Sequence, residues 1–247
     1  MIVPIVVIGM AIVMMVVELR RPGRQWPRVA GWWWRAALLN TAQLAMVFIF
    51  GVAWEKWMTE IRLFSGESLG VTGGAITGYL VITFVYYWWH RWRHESGILW
   101  RWFHQIHHSA QRIEIITSFY KHPFELFANG VLSSFILYAL VGLSPVAATN
   151  AVLICGLAEL FYHWNVKTPH WLGYIVQRPE SHCVHHQESL HWYNFSDIPL
   201  WDMMFGTFYN PRTWQYQCGL GADNERRLLE MLVGRDLRRR SVLKVSL

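Results

Sequence analysis

The chain has 247 residues, with 22 Lys plus Arg against 16 Asp plus Glu and a formal net charge of +6. Charged residues make up only 15% and hydrophobic ones 53%, with 16 Trp, a balance that excludes a disordered chain and is out of line with an ordinary soluble enzyme. The length suits one domain, and Cys155, Cys183 and Cys218 include no CxxC pair, so no disulfide framework is indicated.

Residues 2 to 18 are almost continuously apolar, long enough as a helix to cross the roughly 30 Å hydrocarbon core. The segment has no basic start and no small-residue cleavage site, so it reads as a retained span. A second candidate span covers 36 to 54 and carries Asn40 and Gln43; a third covers 71 to 89 and ends in an aromatic cluster suited to the membrane interface. Residues 126 to 143 and 146 to 162 are two further apolar runs joined by Ser144 and Pro145, the pattern of a helical hairpin that spans or re-enters. Arg20, Arg21, Arg24, Arg28 and Arg35 follow the first span, Arg91, Arg93 and Arg101 follow the third, and Arg238, Arg239 and Arg240 lie near the end. The connection 55 to 68 instead sets Lys56 and Arg62 against Glu55, Glu60 and Glu67. With five crossings, retention of basic residues on the cytoplasmic side then predicts an outer N-terminus, an inner C-terminus, and both polar stretches, 90 to 125 and 163 to 247, on the cytoplasmic face. The basic excess is accounted for by topology and anionic lipid, and no domain for nucleic acid is visible. The tail from 212 to 247 mixes Leu228, Leu229, Met231, Leu232 and Leu237 with Arg226, Arg227, Glu230 and Arg235, and reads as an amphipathic, partly surface-bound helix. The expected fold is all-α: one polytopic membrane domain over 1 to 247, with about four to five transmembrane or re-entrant helices and a cytosolic histidine-rich helical cap.

All 12 histidines lie at or beyond position 90. His90 and His94 form an HxxxH pair, one turn apart if the third span continues as a helix. His104, His107 and His108 form HxxHH, and His182, His185 and His186 repeat that spacing. A lone HxxxH pair is more often ordinary surface; the weight comes from three such groups at one membrane face. Together they offer more imidazoles than one tetrahedral zinc can use, so two metals are the economical reading. His163, in Glu159-x-x-x-His163-x-Asn165, is a further ligand candidate. His122, before Pro123, suits a cap or a supporting role behind the ligands, while His170 and His191 have no partner at ligand spacing and read as interfacial. Glu159 is an acid inside an apolar run and is assigned to orient a ligand imidazole through its second nitrogen. Trp88, Trp89, Trp92, Trp100 and Trp102 read first as interfacial anchors and second as channel lining.

At these residues the sequence resembles the fatty acid hydroxylase and sterol desaturase superfamily, over roughly 80 to 210. His90-Arg91-Trp92-Arg93-His94 and His104-Gln105-Ile106-His107-His108 are similar to its first two histidine boxes, and His122-Pro123-Phe124-Glu125 to its HPxE element. His163-Trp164-Asn165 resembles an HxN element, and His182-Cys183-Val184-His185-His186 the third box. Asn194-Phe195-Ser196 and the run from Trp201-Asp202 to Phe205-Gly206-Thr207 resemble its NYG and WDxxFGT ending, with Ser196 where glycine is usual.

The resemblance implies an integral membrane oxygenase with a di-iron site held by His90, His94, His104, His107, His108, His163, His182, His185 and His186, with His122, Glu159 and Asn165 as supporting residues. It implies hydroxylation or desaturation of a lipid C–H bond, sterol-like or fatty acyl, using O2. Imidazole equally suits zinc, so the identity of the metal comes from the resemblance and not from the ligand type. The sequence shows no GxGxxG loop and no cysteine set for an iron–sulfur cluster, so electrons are expected from a separate donor, a ferredoxin or a cytochrome b5-like protein with its reductase. The expected location is the bacterial inner membrane or an endoplasmic-reticulum-like membrane, with the histidines on the cytoplasmic side. Two other classes stay open: a membrane zinc hydrolase using Glu95, Glu159 or Glu188 as acid or base, and a non-catalytic metal-binding scaffold, against which the complete histidine sets argue.

Overall fold

The computed structural model describes residues 2–58, 61–221 and 223–238. Glu60, Arg239 and Arg240, used above for topology, lie outside the described residues, as do the side chains of Glu55 and Lys56. Ten α-helices are present, with no strand among the described residues beyond an isolated bridge between Gln187 and Cys218. The long helices are α1 (Ile2–Arg20), α2 (Trp32–Met58), α3 (Gly70–Glu95), α6 (Pro123–Ser134) and α7 (Pro145–His163). The short ones are α4 (Gly97–Phe103), α5 (Gln105–Ser109), α8 (Pro179–His185), α9 (Pro199–Met204) and α10 (Leu228–Leu232). Three stretches, Gly66–Glu95, Pro123–Leu140 and Pro145–His163, are long and apolar enough to cross a membrane. The first two predicted spans are helices α1 and α2, though some of their side chains lie outside the described residues. On α1, Ile5, Ile8, Ile12 and Val13 are exposed, as lipid-facing residues are.

The hairpin is built as its sequence suggests. Pro123 occupies the first turn of α6, where its missing N–H costs nothing. The helix widens into a π-helical turn over Phe135–Leu140, then reverses at Gly142, whose φ is +70°. A Cβ at Gly142 would lie 1.8 Å from the Phe64 carbonyl oxygen, so only glycine fits. Ser144 caps α7, its Oγ accepting from Ala147 N at 3.4 Å. Against this hairpin α3 presents Gly74, Gly78 and Ile82, one residue per turn, and a Cβ at Gly78 would sit 3.1 Å from that of Ala151. The small residues let the backbones of α3 and α7 approach closely where no hydrophobic force distinguishes side chain from lipid.

Each long helix contributes one end to a polar cap. Glu18 at the end of α1 accepts from Ile115 N at 3.1 Å and Asn165 N at 2.8 Å. At the start of α2, Arg35 pairs with the buried Glu225 at 2.8 Å. Ser96 ends α3 in an extended conformation and caps α4 with its hydroxyl, turning the chain from the membrane into the histidine region. The tail differs from expectation. Its described part is a 3-10 turn followed by the five-residue α10, and Leu228, Met231 and Leu237 are buried against Trp32, Ala36 and Ile106. These three residues face protein while Leu229 and Val233 stay exposed, so the described part of the tail packs on the cap through one face.

Gly78→Leu is expected to overpack the α3–α7 contact at a cost of about 1–3 kcal/mol or more. Gly156→Leu, at a site with nothing within 4 Å of an added Cβ, is the control. Thermal unfolding in detergent should lower the midpoint for the first variant and leave it near wild type for the second.

Candidate metal centre

The HxxHH spacing has a geometric consequence when it lies on a helix. Residues four apart differ by roughly 40° around the axis and residues three apart by roughly 60° the other way. The first and last histidines therefore share one direction and the middle one points to the opposite side of it. The structure uses this twice. His104 and His108 join His90, His94 and His185 in one group, whereas His182 and His186 join His107 and His163 in a second. Each triplet thus lends its middle histidine to the group dominated by the other. Within each group one ring nitrogen per residue lies within 4.8 Å of all the rest. Imidazole nitrogens sharing one ion at about 2.0–2.1 Å stand roughly 3–4 Å apart, close to this arrangement. The groups share a wall, with the rings of His108 and His186 stacked at 4.3 Å.

The outward nitrogens show which tautomers are present. His90 Nδ1 donates to Phe195 O at 2.6 Å, His163 Nδ1 to Glu159 O at 2.8 Å, His185 Nδ1 to Tyr193 O at 2.7 Å, and His104 Nδ1 to Glu125 Oε1 at 3.2 Å. Each of these rings is left with a lone pair on Nε2, directed inward. His90 and His104 then oppose bare Nε2 atoms at 2.8 Å, and the buried Nε2 atoms of His94 and His185 have no hydrogen-bond partner. Opposed lone pairs repel, and a buried acceptor without a donor costs about 1–3 kcal/mol. A cation among them removes both penalties, so the residues fit a metal at each group. Charge agrees with this. Burial first, and the neighbouring imidazoles second, hold His107, His108, His182 and His186 well below the ordinary histidine range; burial brings His185 down to about 3. The rings are neutral, as ligation requires.

The supporting residues depart in part from the sequence reading. Glu159 does orient His163, but through its backbone carbonyl; its carboxylate forms an ion pair with Lys121. The carbonyl four residues back on the same helix is simply nearer the ring. Among the described residues Asn165 makes no hydrogen bond to a histidine and instead brackets Arg24, accepting from its N at 2.9 Å and donating to its O at 2.9 Å. His122 caps α6, its Nδ1 accepting from Phe124 N at 3.0 Å, and reaches the tail at Leu232 O. His170 lies apart, bonded to Asn210 O, while His191 packs on the first group, 4.9 Å from the His108 ring. Trp100 is buried against His94 and His108 rather than placed at an interface.

Glu125 is the residue that sequence reasoning left off its site. It is fully buried, contacts Arg93 and holds His104 in its tautomer. Its place in His122-Pro123-Phe124-Glu125, beside a capping histidine, was the available signal. Glu125→Gln is expected to weaken metal binding by about 10–100-fold, measured by chelator competition, because the ring loses its charged acceptor.

The description "fatty acid hydroxylase" belongs to the family model that matches residues 75–207, more than half of the chain. The chain is 34% identical over 136 residues to alkylglycerol monooxygenase of Danio rerio, covering 53% of this chain and 29% of that protein. It is 31% identical over 140 residues to an ornithine lipid hydroxylase of Rhizobium tropici, covering 55% and 42% respectively. Sphinganine C4-monooxygenase of Arabidopsis thaliana is 25% identical over 137 residues, 54% of this chain and 53% of that protein. The chain therefore spans well under two thirds of these relatives' length. No solved structure matches it. The matched segment contains both imidazole groups, Glu125 and the Asp202 to Thr207 ending, and on that match the chain belongs to the fatty acid hydroxylase family.

Proposed function

We propose that this chain is a membrane lipid oxygenase whose two imidazole groups each hold an iron ion. The observation that supports the reading best is the convergence of buried ring nitrogens into a group of five and a group of four, with outward acceptors leaving a bare Nε2 on His90, His104, His163 and His185. His90, His94, His104, His108 and His185 would hold one ion, and His107, His163, His182 and His186 the other. Iron, when bound, supplies the activation of O2 needed to oxidise an unactivated C–H bond. The chain's own residues do the rest. Phe195 O, Tyr193 O, Glu159 O and Glu125 fix the ring tautomers, and burial of the rings keeps bulk water from the reaction. The relatives are named for oxidation of alkylglycerols, an ornithine lipid and sphinganine, which supports an amphiphilic lipid as substrate and hydroxylation as the reaction. Electrons come from a separate donor acting on the cap, and the basic residues after α1 and α3 support a cytoplasmic position for it.

The three acids that a zinc hydrolase would use are engaged elsewhere. Glu95 pairs with Arg91 at the surface, the Glu159 carboxylate is engaged by Lys121, and Glu188 lines a separate groove with Arg212 and Trp214. None is left to activate a metal-bound water at the rings. Glu125 does bond a ring, but on the nitrogen that faces away from the group.

Two neighbouring residues test the assignment. Purified, iron-supplemented protein is expected to hold about two irons per chain. His107→Ala and His108→Ala should each reduce this to about one, because they strike different groups. Reductant-dependent O2 uptake should fall in both. Stoichiometric zinc that iron does not displace, with no O2 uptake, would return the reading to the hydrolase.

A further inference from the structure

A cavity of about 900 Å³ lies beside the histidine cluster and contains none of its rings. Val6, Met10 and Val13 of α1 and Ile154, Leu157 and Phe161 of α7 line its length, so it runs along membrane helices and offers almost nothing but aliphatic and aromatic surface. It opens along exposed Val6, Met10 and Val13, so a chain can enter from the bilayer, and its volume suits one long aliphatic chain.

The end of the cavity near the cap is different, because Gln177 and Asp197 reach it. Gln177 is engaged: its Nε2 donates to Asn194 O at 2.8 Å and lies 3.2 Å from His182 Nδ1. Asp197 faces the Tyr162 hydroxyl, and its backbone carbonyl accepts from Gln177 N at 3.1 Å, which fixes it at this end of the cavity. Lys121, the cation that acts on it, forms its ion pair with Glu159. Burial, and then the charge of Glu159, push the Asp197 carboxyl up to about 7. Tyr162 connects the carboxyl to the group of four. The Tyr162 ring lies 4.4 Å from that of His182 and 4.9 Å from that of His163, both in the group of four.

We propose that Asp197 is the specificity-determining residue of this cavity, accepting a hydrogen bond from a hydroxyl or ammonium group carried by an aliphatic chain that fills the apolar length. The inference deepens the lipid oxygenase reading and rests on it for the chemistry that follows binding. A donor held at Asp197 sets which carbons of the chain come nearest to Tyr162 and the group of four behind it. A plain hydrocarbon or a lipid with only acceptors at that position gains nothing from the carboxylate and leaves it desolvated.

Binding without turnover tests this. The full chain in detergent is titrated with 9,10-dibromooctadecanol, its methyl ether, and the matching amine, and the bromines quench tryptophan emission. Trp164 lines the cavity, so Trp164→Phe should remove most of the quenching. Wild type is expected to bind the alcohol about ten-fold more tightly than the ether, and Asp197→Ala to abolish that preference while changing the ether by less than about two-fold. Asp197→Asn keeps the size of the side chain and should lose most of the preference in folded protein. The amine separates the two donors: an ammonium ligand loses more than the alcohol does in Asp197→Asn, a hydroxyl ligand does not. Equal discrimination by wild type and Asp197→Ala, or quenching untouched by Trp164→Phe, would overturn the proposal. Absence of metal-dependent O2 uptake with the preference intact would remove the oxygenase reading and leave the binding site standing.

Discussion

Nine imidazoles can hold two cations only if each ring is neutral, has a bare nitrogen, and aims that nitrogen inward. Burial supplies the first condition, since a protonated ring would be desolvated among its neighbours. Acceptors on the outward nitrogens supply the second where they are present. Helix periodicity supplies the third. The acceptors are mostly backbone carbonyls, which makes the course of a loop as important as any side chain. Phe195 O serves His90, and Phe195 is itself fixed by Asp202, which accepts from Phe195 N at 2.8 Å, Ser196 N at 3.0 Å and Thr207 Oγ1 at 2.7 Å. The WDxxFGT ending is thus a clamp on the loop that sets a histidine's tautomer.

Short helices make the same demand on the rest of the cap. A five-residue α5 and a seven-residue α8 have no stability of their own. Gln105, wholly buried, donates to Arg235 O at 2.8 Å and accepts from Leu237 N at 2.7 Å, tying α5 to the tail. Arg178, just before α8, bonds Thr168 and Asn210 and pairs with Glu180, which in turn pairs with Arg24. Buried ion pairs of this kind contribute little net stability, but loss of one partner strands a charge. Their effect is to fix where the histidines stand.

The parts legible in the sequence were those whose chemistry depends on residue type and spacing. Histidines at offsets of three and four are rare enough to be read directly, and the proline and serine around the α6–α7 turn announce it. Other features depended on which surfaces meet. The carboxylate of Glu125 lies 21 positions from His104, and no periodicity links them. For Glu159 the residue was right and the atom was not, because a side-chain reading overlooks carbonyls. Leu228, Met231 and Leu237 were recognisably one apolar face, yet a hydrophobic pattern does not say whether lipid or α2 covers it. Ser196 in place of glycine has no consequence for the turn: the left-handed conformation falls on Asn194, at φ 58°, a residue that tolerates it.

The two groups differ in surroundings as well as in number. Trp100 and His191 close the outer side of the group of five, with the Trp100 ring 5.3 Å from His94 and from His108. The group of four abuts Tyr162, and beyond Tyr162 lies the apolar cavity. Under the proposed assignment, an ion in the group of four would be the one nearer the apolar cavity and an ion in the group of five the more enclosed, while the stacked rings of His108 and His186 hold the two groups side by side.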